Sequence, residues 1–85
     1  MRTFSLEDLK KSIVKKFFKL SAKQLMVAQY IVNNIEDIRN INTTTELSRI
    51  IGVSTTTLNI TLSILNLGSF STFKNKVKKI IDKNK

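Results

Sequence analysis

Eighty-five residues, 41% of them hydrophobic, bound one small folded domain, and a chain this short is most easily stabilised as a set of packed helices. The chain has no cysteine and no histidine, which excludes disulfides, zinc sites and histidine-based acid–base or triad chemistry. The net charge of +9 suits a polyanionic partner, while no apolar run approaches the ~20 residues that span a bilayer.

The spacing of apolar residues is three and four rather than two, so five helices are expected, with a short sixth, and no wing sheet. Ser5 opens the first, with Asp8 at the capping-box position. Leu6, Leu9, Ile13, Phe17 and Leu20 line one face over about 6–19, widened by Val14 and Phe18, and Lys10, Lys11, Lys15, Lys16 and Lys19 occupy the rest. Ser21 opens the second helix, about 22–34, with Gln24 three residues on and Val27, Ala28, Ile31 and Ile35 facing inward. A helical turn is expected around 36–38, then a polar loop over 39–43.

Residues 44–66 carry the most information. Thr43 caps a helix over about 44–51, with Glu46 reaching back to complete the box. Leu47, Ile50 and Ile51 share a face, and small Ser48 leaves room for a second helix. Gly52 suits a left-handed C-cap, Val53 is apolar within the turn, and Ser54 caps a helix over about 55–66 with Leu58, Leu62 and Leu65 inward. Two short helices joined by such a turn make the pattern of a DNA-binding helix-turn-helix, whose second helix lies in the major groove; the plainer reading is an ordinary helical hairpin. A last helix runs over about 70–82, capped by Ser69 or Ser71, with Phe70, Phe73, Val77, Ile80 and Ile81 apolar and residues 83–85 frayed.

Charge is unevenly placed. Residues 1–23 hold seven Lys/Arg against two acids and residues 74–85 six Lys against one, while 24–73 hold two Arg against three acids. The candidate reading helix is therefore uncharged and the basic charge lies near both ends of the chain.

Several pieces together resemble the N-terminal DNA-binding domain of the RpiR family of bacterial transcriptional regulators. They are Leu20-Ser21, Ala28-Gln29-Tyr30-Ile31, Glu46-Leu47-Ser48, Gly52-Val53-Ser54, Thr57, Leu65, and Phe70, Phe73 and Lys74, in order and without gaps from about 20 to 80. The departures are Ile60 where the family usually has arginine, Ser63 and Ile64 where it is often basic, Ile35 for a frequent proline, and Asn66 for a glycine, with Gly68 displaced by two positions. The resemblance implies an all-α module that binds double-stranded DNA as a homodimer. It also implies a separate sugar-isomerase-type domain, outside this chain, through which a phosphosugar acts; the chain is then either a piece of a longer protein, which the charged ending favours, or an unusually short relative.

The candidate contacts follow. Thr55, Thr56, Asn59, Ile60 and Ser63 fall on the outer face of the second helix: hydroxyls suit phosphates and bases, asparagine can read adenine, and isoleucine can press on a thymine methyl. Ser54 stands at the start of that helix; Thr44 and Thr45 open the first of the pair, beside a phosphate or simply as cap residues. Lys74, with Lys76, is placed to clamp flanking backbone. The lysine face of the first helix could pack on this domain or a second copy, follow DNA, or lie on a membrane; packing is the expectation, with no membrane partner and a cytoplasmic location. No catalytic residue, metal or cofactor is expected, since Asp8 and Glu46 read as helix caps and no nucleophile stands beside a base. The rival function is a helix-turn-helix scaffold used for protein–protein contact, presenting Ile60 and Ile64.

Overall fold

In the computed structural model, which describes residues 5–83, five α-helices follow one another: α1 Leu6–Val14, α2 Ala22–Asn33, α3 Thr44–Ile51, α4 Thr55–Ile64 and α5 Phe70–Lys83. Two 3-10 segments, Phe17–Lys19 and Ile35–Asn40, connect them, and there is no strand among the described residues. The protein is all-α, and no helix among the described residues is long and apolar enough to cross a membrane.

The caps fix the helix starts. Ser5 and Asp8 exchange both bonds of a capping box, as do Ser21 and Gln24. Thr43 accepts from the Glu46 amide at 3.1 Å, but the Glu46 carboxylate accepts from the Asn42 amide at 3.0 Å rather than from Thr43, so the expected box is half formed. Ser69, not Ser71, caps α5, accepting from the Thr72 amide at 3.2 Å.

The core is a single cluster. Leu9 and Ile13 of α1, Val27, Ala28 and Ile31 of α2, Leu47 of α3, Leu58 and Leu62 of α4, and Phe73 and Val77 of α5 are buried in it. α2 is the centre of the packing, touching α1, α3 and α4, while α5 packs chiefly on the Ile35–Asn40 segment and also on α1. Phe73 is the largest wholly buried side chain among the described residues.

Four expectations change. The first helix stops at Val14 instead of continuing to 19, and its tail tightens through i→i−3 bonds from Lys16, Lys19 and Leu20. Phe17 and Leu20 turn against the core at this bend, which leaves Phe18 82% exposed and Val14 half exposed; neither widens the inner face. In α3 the buried side is set by the neighbouring α4 at Ser48, so Leu47, Ser48 and Ile51 turn inward and Ile50 is 50% exposed. The turn expected at 36–38 is a 3-10 segment twice that length, and the loop after it is not wholly polar, because Ile38 and Ile41 close the core under α5. Of the frayed end expected at 83–85, Lys83 closes α5 and the last two residues lie outside the described part.

Candidate nucleic-acid interface

The α3–turn–α4 unit is built from short-range chemistry. Gly52 ends α3 at φ +90°, and the amides of Gly52 and Val53 both donate to the Ser48 carbonyl, at 2.8 and 3.0 Å. No atom would meet a Cβ at Gly52 within 4 Å, so the backbone angle, not space, demands glycine there. Ser48 is buried with its hydroxyl donating to the Thr45 carbonyl at 2.9 Å, which lets a small polar side chain sit between two helices without an unsatisfied group. Ser54 then caps α4, accepting from the Thr57 amide at 3.1 Å and donating to the Thr57 hydroxyl at 3.0 Å.

α4 divides into two faces. Leu58, Thr61 and Leu62 are buried against α2 and α3, and the Thr61 hydroxyl donates to the Thr57 carbonyl at 2.7 Å. Thr55, Thr56, Asn59, Ile60 and Ser63 are all exposed, as the spacing predicts, and Ile60 is 48% exposed. Ile64 is half buried. The outer face is thus made of short hydroxyls, one amide and one branched apolar side chain, with no charge anywhere on the helix.

The other predicted positions have mixed placements. Thr45 is exposed at the start of α3, while Thr44 is half buried. Ser54 is exposed, but its hydroxyl is already used within the cap. Lys74 is half buried in the first turns of α5, shortly after the link from α4.

α4, expected to run to about 66 and to end at Leu67-Gly68, stops at Ile64. Asn66 takes φ +58°, the Leu67 amide donates to the Leu62 carbonyl at 2.9 Å, and Leu67 is buried beneath it. The Leu65 carbonyl left over accepts from the Lys16 ammonium at 3.3 Å, across 49 residues of chain. Lys16 therefore ties the α1 tail to the negative end of α4. Nothing in the local sequence separates Lys16 from the four other lysines around it; only the bend after Val14 turns it toward α4.

No group of three or more Asp or Glu that could hold a metal ion occurs among the described residues. Comparison with protein-family models, with curated proteins and with solved structures finds no match to this chain.

Proposed function

We propose that this chain is a sequence-specific DNA-binding module of a bacterial transcriptional regulator similar to the RpiR family, with α4 entering a major groove. The observation that carries the reading is the split character of α4. Its inner side is locked by Leu58, Thr61 and Leu62, and its whole outer side, Thr55, Thr56, Asn59, Ile60 and Ser63, is exposed and uncharged. A rigidly held face of short donors and acceptors suits base edges, where positional accuracy sets discrimination. Lysines on α1 and α5 supply the charge that α4 lacks: phosphate neutralisation by Lys74 and its neighbours gives affinity, and Asn59 and Ile60 give preference. Thr45 stands beside the backbone that flanks the groove. Two copies read the two halves of a palindrome-like operator, and a phosphosugar acts through a separate domain.

One observation favours a second reading. The exposed Ile60 sits where a basic contact would be usual for such a helix, as befits a protein–protein surface. The two separate in one experiment: retention of random duplex DNA at two salt concentrations, followed by sequencing of what is retained. An enriched two-fold symmetric motif with steep salt dependence supports DNA reading. Weak retention without an enriched motif rejects it in favour of the scaffold.

A further inference from the structure

Phe18 stands apart from the other large apolar side chains. It is 82% exposed, and the next among the described residues, Ile50, reaches 50%. Its position is held rather than loose. Phe17 before it and Leu20 after it pack against the core, and the Lys16 ammonium is tied to the Leu65 carbonyl at 3.3 Å. The 3-10 turn Phe17–Lys19 therefore presents the ring to solvent from a fixed base.

The surroundings are basic. Residues 9–35 hold six lysines and no carboxylate. Lys15, Lys19 and Lys23 are exposed and form no ion pair among the described residues. The Lys19 ammonium lies 5.8 Å from the centre of the Phe18 ring. Lys15 also lines an open groove with Lys11, half-exposed Val14 and Val32, and the one acid of that groove, Glu7, is already paired with Lys10 at 3.3 Å. Residues 13–20 carry no hydroxyl or amide side chain, unlike the outer face of α4.

We infer that this tip docks on an anionic membrane surface, with the Phe18 ring among the lipid esters and upper chain carbons and Lys15 and Lys19 at the phosphates. A headgroup layer meets both needs of the tip, because its phosphates take the ammoniums and the zone beneath takes the ring. A duplex meets only one. Its phosphates would take the lysines, but the ring would stay in water or have to part stacked bases. The tip also offers no hydroxyl or amide to a base edge. Attachment is peripheral: α1 has nine residues, and no helix among the described residues is long and apolar enough to cross a bilayer. One ring and a small set of lysines give weak, reversible binding. Membrane docking does not depend on DNA reading by α4, and vesicle measurements contain no DNA, so either can fail without the other.

The test is cosedimentation of the full chain with vesicles of equimolar phosphatidylglycerol and phosphatidylcholine, against phosphatidylcholine alone, at low and moderate salt. Binding should require the anionic lipid and weaken with salt. Phe18→Ser should weaken it about tenfold, the lower end of what burial of a phenyl ring supplies. Lys15→Gln with Lys19→Gln should weaken it by about fivefold for each lysine removed. Lys78→Gln with Lys79→Gln, the same loss of charge on α5, should weaken it far less. All these positions are exposed, so circular dichroism should report unchanged helix. Phe18→Trp gives the chain its only tryptophan, and the indole emission should shift to the blue on binding as the ring leaves water. A wild type that sediments no better with the anionic vesicles overturns the inference. So do unchanged binding by Phe18→Ser, equal losses from the two lysine pairs, or an unshifted emission. Phe18→Ser that weakens retention of duplex DNA while vesicle binding holds would assign the tip to nucleic acid and overturn it as well.

Discussion

α4 buries Leu58, Thr61 and Leu62 and turns threonines, a serine, Asn59 and Ile60 outward, whereas α5 buries Phe70, Phe73, Val77 and Ile80 and turns lysines outward. The two helices follow the same inner rule, an apolar stripe at helical spacing, and opposite outer rules. Their anchoring differs as well. α4 is held by α2 and α3 and fixed at its end by Lys16, while α5 lies mainly across the Ile35–Asn40 segment. An uncharged helix gains little from long-range attraction to DNA and depends on being held in place; a lysine-bearing helix gains attraction with little demand on position. Under the proposed DNA-binding function, the difference assigns discrimination and affinity to different helices of one small domain.

Three substitutions break or sharpen that comparison. The largest effect belongs to the anchor of α4. Leu62→Ala should cost about 2–5 kcal/mol of stability, because Leu62 is wholly buried and its loss leaves a cavity. Urea denaturation would record it; a loss below about 1 kcal/mol would mean that α4 is not locked from beneath. Gly52→Ala comes next, at about 1–2 kcal/mol, from left-handed strain alone since the added Cβ meets nothing. Its thermal midpoint should fall while the helix content of the folded state persists; an unchanged midpoint would contradict the strain argument. The smallest is Lys16→Met, which keeps the stem but removes the donor to the Leu65 carbonyl, costing about 0.5–1 kcal/mol. Amide exchange at the end of α4 should speed up more than in α5; equal acceleration in both would deny Lys16 a specific role.

Much of this was legible in the sequence, and the exceptions share a cause. Ser5, Ser21, Thr43 and Ser54 announce helix starts because capping is decided within four residues, and Gly52 announces a stop for the same reason. The outer face of α4 was readable because Leu58 and Leu62 fix its rotation. What escaped depends on distant neighbours. Ile50 and Phe18 are exposed because other residues already fill the space, and Ile38 and Ile41 are buried because α5 returns over them. Lys16 could not be distinguished from Lys15 or Lys19, since its partner is 49 residues away. Thr61 reads as a surface residue by type, yet it is wholly buried because its hydroxyl finds the Thr57 carbonyl within its own helix.

The division between reading and neutralising is tested most directly by comparing Asn59→Ala with Lys74→Ala, on a motif recovered by selection and on a shuffled duplex, across a salt series. Asn59→Ala should erode the preference for the motif by about 1–3 kcal/mol and leave the salt slope unchanged. Lys74→Ala should weaken both duplexes alike and lower the slope by about one. Equal, uniform losses from both substitutions, with equal changes of slope, would contradict the account.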